Sequence, residues 1–264
     1  MLKTIFAPNT RDLISQFVRT EFKLKYNNSV LGFIWVLIKP MVTFLVIFVV
    51  LSRVFPNGSI HDYPLYLLLG TVISGHFNEA TSSGISSLLN KQNLILKVNF
   101  PRYIVILSAV LLPAINFFIN LSIYFAVSIV FFQKFPGIIS LIYFIFAYLM
   151  FFTLIVGFSL ITSIWNVKLR DVGSIWDLVL QLVFWVTPIV YDIKVITAKS
   201  NLIGTLIDKF NPISVLLTIT RNAFIDDQVT RPGLLFAWWG VAIIVAGIGY
   251  FYFKKNIKKI AEDF

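Results

Sequence analysis

The chain has 264 residues, 58% of them hydrophobic and 13% charged, with a formal net charge of +10 and no cysteine. A soluble domain carries about a quarter charged residues, so this composition excludes water as the solvent for most of the chain. The charge does not indicate nucleic acid, because the basic residues gather at the ends of apolar runs, where they anchor helices at a membrane surface, and the missing thiols exclude disulfides and thiolate metal sites.

The first thirty residues are polar and basic, and the apolar run after them is long and has no small-residue cleavage site, so no removable signal peptide is expected. Over about residues 11–26, Leu13, Phe17 and Leu24 share one helical face and Arg19 and Lys23 another, which predicts an amphipathic helix along the membrane surface. Apolar spans follow near 31–52, 64–88, 103–132, 136–164, 174–194 and 234–253. A bilayer core of about 30 Å takes roughly 20 helical residues, and each run reaches that length. Barrel strands would alternate apolar and polar residues, and most of the chain does not.

In the long connection from 195 to 233, Asn211-Pro212 reads as an N-cap with proline at the first helical position, opening a helix through about Phe224. A second short helix fits roughly 201–210. Both are too short to span and suit re-entrant or interfacial positions within an outer segment 195–226. The expected fold is an all-α integral membrane protein, one domain over 1–264, with six transmembrane helices, an N-terminal interface helix, and two short re-entrant helices between the fifth and sixth spans. Lys and Arg number fourteen in segments 1–30, 89–102, 165–173 and 254–264 against seven on the other side, which places both termini in the cytoplasm.

Polar residues inside the spans carry the functional signal. In the fifth span Asp177, Gln181, Phe184, Trp185, Pro188, Tyr191 and Asp192 fall on one helical face and aliphatic residues cover the rest. Such a stripe suits a wet path for a sugar-like substrate, whose flat C–H faces stack on rings and whose hydroxyls need hydrogen-bond partners. An interfacial belt of Trp and Tyr, with the two aspartates at the span ends, is the competing reading. Glu79, Ser83, Ser86 and Asn90 share a face of the second span with His76 beside them, and Pro113, Asn116, Asn120 and Tyr124 share one of the third. In the first, Trp35, Lys39 and Thr43 stack at intervals of four, with Pro40 able to loosen the helix. Glu79 should face a polar cavity or a partner, because a mid-bilayer charge costs about 2.5–3.5 kcal/mol. For Asn116 and Asn120, hydrogen bonding between helices competes with lining.

No phosphate-cradling G-x-x-x-x-G-K-[ST] loop is present, so ATP hydrolysis would belong to another chain. H-E-x-x-H and G-x-S-x-G are missing too, His61 and His76 lie in different surroundings, and Asp226-Asp227 reads as a solvated turn. Catalysis is not expected.

Four segments carry a family resemblance: FVRTEFKLKYNNSVLGFIWVLIKP at 17–40, LLNKQNLILKVNFPRYIVILSAVLLP at 88–113, NVKLRDVGSIWDLVLQLVFWVTPIVY at 166–191 and NPISVLLTITRNAF at 211–224. They resemble the interface helix and first span, first cytoplasmic loop, second cytoplasmic loop with fifth span, and outer re-entrant helix of ABC type-2 exporter permeases. The subfamily most resembled exports O-antigen, teichoic acid or capsular polysaccharide across the bacterial cytoplasmic (inner) membrane. The resemblance implies a homodimer around a channel for a lipid-linked polysaccharide, surrounded by membrane lipid. Each copy would dock on a cytoplasmic ATPase subunit, two in all, which holds ATP and Mg; this chain needs no cofactor. The loop 89–102 would be the coupling helix, with Lys91, Lys97, Pro101 and Arg102 meeting the ATPase together with Arg170 and Asp171 of the second loop. Trp35, Phe184, Trp185 and Tyr191 fall where channel aromatics are expected, and the channel set is completed by Lys39, Glu79, Asp177 and Gln181. Lys39 departs from the family, where Asn or an aromatic often precedes the proline; it would attract a substrate phosphate or snorkel to the interface. The alternatives are a drug or antibiotic exporter, a membrane glycosyltransferase or polymerase using one of Asp192, Asp208, Asp226 and Asp227, and a proton-driven transporter centred on Glu79.

Overall fold

A computed structural model describes residues 8–26, 32–54, 62–98 and 100–257. The regular structure among them is helical: α1 (Pro8–Tyr26), a 3-10 turn (Gly32–Ile34), α2 (Trp35–Val54), α3 (Tyr63–Asn90), α4 (Gln92–Lys97), α5 (Tyr103–Phe132), α6 (Ile138–Lys168), α7 (Val172–Val186), α8 (Ile193–Lys199), α9 (Asn201–Phe210), α10 (Pro212–Ile225) and α11 (Pro232–Asn256). His61 lies outside the described residues.

The centre of the fold is α3, whose Leu65, Leu68, Leu69 and Ile73 are fully buried against α5 and α6. Aromatic rings fill the space between these helices, with Phe117 stacked on Tyr148 at 5.0 Å and Phe224 of α10 4.7 Å from Phe144. Helix α11 lies along α6 through small residues. A Cβ at Gly249 would stand 2.4 Å from the Gly157 carbonyl oxygen, so glycine there lets the two backbones touch. Helix α2 is peripheral, with Val42, Leu45, Val46 and Val50 exposed on the outside of the bundle.

Four helical stretches are long and apolar enough to cross a membrane, Gly32–Val50, Tyr103–Phe132, Ile138–Lys168 and Pro232–Asn256. A fifth is reached if α9 and α10, bent by 81°, count as one. The other two expected spans have identifiable reasons for falling short. Helix α3 has 28 residues, but His76, Asn78, Glu79, Ser82, Ser83, Ser86 and Ser87 dilute its apolar content. Helix α7 has 15 residues and ends at Val186, so the expected helix over 174–194 is corrected to a helix, a break at 187–192 and the separate helix α8. The cause is Pro188: the residue before proline is driven out of the α region, and Thr187 has φ −76° and ψ 137°. Two expected helix starts are present in detail. The Asn211 side chain accepts from Ile213 N and Ser214 N, and Ser200 accepts from Ile203 N.

The interface helix differs from its sequence reading in one respect. Phe17 packs on Phe100 with centroids 5.6 Å apart, but Leu24 is 69% exposed and does not share that buried face.

At the end of the bundle where α6 and α11 begin, Asp227 caps α6 from a distance in sequence. Its Oδ1 accepts from Gly137 N at 2.8 Å and from Ser140 Oγ at 2.6 Å, which holds its carboxyl below the ordinary carboxylate value. A depressed pKa contributes stability above the unfolded value, and this contribution is lost as pH falls through the folded one. Asp227→Asn is therefore expected to flatten the dependence of thermal stability on pH below about 4, the unperturbed aspartate value, while leaving stability at pH 7 lower than that of the parent. Unfolding scans in detergent across pH 3–7 measure both, and parallel pH profiles for the two proteins would count against the cap.

Candidate functional site

A cleft of about 840 Å³ opens between five helices. Its walls are Lys25 and Tyr26 from the end of α1, Trp35 to Thr43 from α2, Thr71 to Ser82 from α3, Asn116 to Asn120 from α5, and Asp177 to Trp185 from α7. Helical periodicity explains why these residues meet. On α7, positions 177, 181, 184 and 185 repeat every three to four residues and so share one face, and on α2 Trp35, Lys39 and Thr43 do the same.

Seven of the eight residues read from the sequence as channel lining therefore stand in one cavity: Trp35, Lys39, Glu79, Asp177, Gln181, Phe184 and Trp185. Tyr191 does not. Its hydroxyl folds back to donate to the carbonyls of Val186 at 2.6 Å and Trp185 at 3.3 Å, closing the C-terminus of α7 instead of facing the cleft. Pro188 and Asp192 also leave the stripe. Thr187, Pro188 and Ile189 are buried, and Asp192 N-caps α8 by accepting from Lys194 N at 2.9 Å.

Charge in the cleft is balanced. Glu79 accepts from the ammonium of Lys25 and from Asn116 Nδ2 at 2.9 Å, and the same amide donates to the Tyr26 hydroxyl at 3.1 Å. Glu79 thus has both a cavity and a partner. Its partner Lys25 sits 54 positions away in sequence and was read there only as part of the interface helix. Across the cleft, Lys39 and Asp177 are exposed. The rings of Phe184 and Trp185 meet edge to face at 5.4 Å, and Trp185 is 68% exposed. The wall therefore presents ring faces, amides and charges of both signs to whatever enters.

His76 borders the cleft but is bound into the protein. The Pro113 carbonyl, 3.2 Å from Nδ1, can only accept, so that nitrogen carries the proton and Nε2 is left to accept from the Tyr148 hydroxyl at 3.4 Å. Its role is to join α3, α5 and α6. Among the described residues no group of His, Asp and Glu could hold a metal ion.

The residues expected to meet an ATPase divide into two sets. Lys97, Pro101, Arg170 and Asp171 are exposed at the end of the bundle where α1, α4 and the last turn of α11 gather. Lys91 instead pairs with Glu21 of α1 at 3.6 Å and lies over the Phe17 ring at 5.9 Å, and Arg102 donates to the Ile257 carbonyl at 2.6 Å. Burial raises the Glu21 pKa against the opposing pull of Lys91. Asn166 braces the second loop, with Nδ2 donating to Ile85 O and Oδ1 accepting from Gly173 N, both at 3.2 Å.

Residues 12–225 match the family model described as ABC-2 type transporter. The chain is 25% identical over 260 residues to an O-antigen export system permease protein RfbA of Myxococcus xanthus, covering 96% of this chain and 95% of the relative. It is 26% identical over 259 residues to a protein of the same description from Klebsiella pneumoniae, covering 95% and 94%. A second Klebsiella pneumoniae relative so described is 24% identical over the same shares.

Proposed function

Because the chain belongs to the ABC-2 type transporter family, we propose that it is the permease subunit of an ATP-driven exporter that moves lipid-linked O-antigen across the bacterial cytoplasmic membrane. The observation that carries this reading is the cleft, where Trp35, Phe184 and Trp185 offer ring faces and Gln181 and Asp177 offer hydrogen-bond partners. Sugars are bound by that combination, and contacts that are individually weak let a polymer step along without being trapped. Nearly full-length similarity to proteins described as O-antigen export permeases supports the same substrate class.

In this reading the chain crosses the membrane six times, through α2, α3, α5, α6, α7 with its broken end, and α11. Helix α3 crosses despite its polar residues because His76, Asn78, Glu79 and Ser82 line the cleft and the Ser86 and Ser87 hydroxyls donate to carbonyls of their own helix. The basic segments, including Lys97 and Arg170, face the cytoplasm with both termini, and α9 and α10 re-enter the outer leaflet. Two copies enclose the path, and each rests on a separate ATPase through the exposed loop residues. ATP and Mg stay on that partner. Lys39 borders the cleft, and in this reading its ammonium meets a substrate phosphate.

Reconstitution tests the reading. The chain and its cognate ATPase, in vesicles, should hydrolyse ATP faster when lipid-linked O-antigen is supplied and should deliver the polymer to a glycosidase confined to the opposite side. Delivery of drugs without any response to the glycan would replace this reading with the drug exporter, and polymer formation by the chain alone would replace it with the transferase.

A further inference from the structure

Helix α7 is held weakly by packing, since Leu180 is its one buried residue. Yet the break that follows it is firmly placed, and the reason lies in its carbonyls. The Thr187 oxygen accepts from Ile189 N at 2.7 Å within the break, and the Asp192 oxygen accepts from Val195 N of α8 at 3.0 Å. The four between them accept from side chains of two other helices. Pro188 O receives Arg221 Nη1 at 2.6 Å, Ile189 O receives Arg221 Nη2 at 2.9 Å, Val190 O receives the Tyr63 hydroxyl at 3.1 Å, and Tyr191 O receives the Tyr66 hydroxyl at 2.9 Å. Every carbonyl from Thr187 to Asp192 thus has a donor, as a water-poor surrounding demands.

Arg221 is the centre of this grip. It is 6% exposed, pairs with no carboxylate among the described residues, also donates to Tyr66 O at 3.0 Å, and has its Cζ over the Tyr66 ring, 3.2 Å from the centroid. Space for it is built in: a Cβ at Gly70 would stand 2.7 Å from Arg221 Nη2 and 3.0 Å from Ile189 O. The guanidinium fits under the break because position 70 has no side chain.

We propose that Arg221, Tyr66 and Tyr63 are positioning residues for the cleft, gripping the broken end of α7 and so setting where Phe184 and Trp185, in its last turn, stand. They touch nothing in the cleft themselves. The link to export rests on the reading of the cleft as the transport path, whereas the link to the geometry of α7 does not.

The chain has no cysteine, so a single introduced thiol reports on one place. Gln181→Cys places it on the α7 wall and Ser82→Cys on the α3 wall, and each is combined with Gly70→Ala or with the milder pair Tyr63→Phe and Tyr66→Phe, which keeps both rings. Labelling by a hydrophilic maleimide in the assembled transporter is expected to change threefold or more at position 181 and to stay within experimental error at 82, with export reduced several-fold. Unchanged labelling at 181 in both backgrounds overturns the proposal. Equal change at the α3 and α7 reporters, 82 and 181 alike, also overturns it, because the grip would then be acting on the whole fold. Changed labelling at 181 with export intact upholds the positioning role and removes the cleft from the transport path.

Discussion

Replacing Phe184 and Trp185 together by alanine is expected to lower polymer export about tenfold while leaving the protein folded and assembled with its ATPase. The fold should tolerate the change because Trp185 is 68% exposed and Phe184 is only partly buried, at the edge of the core. The function should not, because an aromatic contact is worth about 0.5–1.5 kcal/mol and 1.4 kcal/mol is a factor of ten in rate. The loss should appear in the glycan-stimulated part of ATP hydrolysis and leave the basal part near its parent value. Leu182→Ala supplies the control. It removes a side chain that is 67% exposed on the same helix but outside the cleft, so it loses similar apolar surface without touching the path. If Leu182→Ala and the double variant export equally well, the stripe on α7 is a lipid-facing belt and the competing sequence reading is restored.

That stripe was legible because its residues are close in sequence and helical periodicity alone puts them on one side. Asp177, Gln181, Phe184 and Trp185, and likewise Trp35 and Lys39, needed no tertiary information, and they line one cleft. The same periodicity misled beyond Val186, where the arc was extended through Pro188, Tyr191 and Asp192. Thr187-Pro188 was present as a local warning, but a proline within a membrane helix is often only a kink, and what decided the matter here was a set of donors on α3 and α10 ready to take the freed carbonyls. Long-range partners were the other blind spot. Lys25 and Glu79, Glu21 and Lys91, and Arg102 with Ile257 are pairs that no spacing rule connects. Lys91 and Arg102 were read as contacts for another protein with no sign that, within this chain, their side chains meet Glu21 and the Ile257 carbonyl. Arg221 was counted only as a charge on the less basic side, although its burial makes it an organising residue.

The Lys25–Glu79 pair sets up the second large effect, and its size comes from what is left behind rather than from the pair itself. With side chains 44% and 32% exposed, the attraction alone is of the surface kind, worth about 0.2–1 kcal/mol. Lys25→Glu does more than remove it, since it sets two carboxylates together at the cleft wall with a single amide, Asn116 Nδ2, to serve them. A charged group left without its partner there costs about 1–3 kcal/mol, and α1 should lift from α3. Export by Lys25→Glu is expected to fall about tenfold or more, and the variant should melt several degrees lower. The exchange Lys25→Glu with Glu79→Lys should recover most of both losses. Asn116 allows this because its Oδ1 has no partner among the described residues: turning the amide over offers that oxygen to the new ammonium. Glu79→Gln separates this structural role from proton transport. The amide keeps an oxygen for Asn116 and Lys25 but cannot carry a proton, so export within about threefold of the parent is expected, and its abolition would instead make Glu79 the centre of a proton-driven step. Failure of the exchanged pair to recover, with Lys25→Glu alone defective, would show that the cation is needed at position 25 for its own sake, as a ligand for the substrate and not as a partner for Glu79.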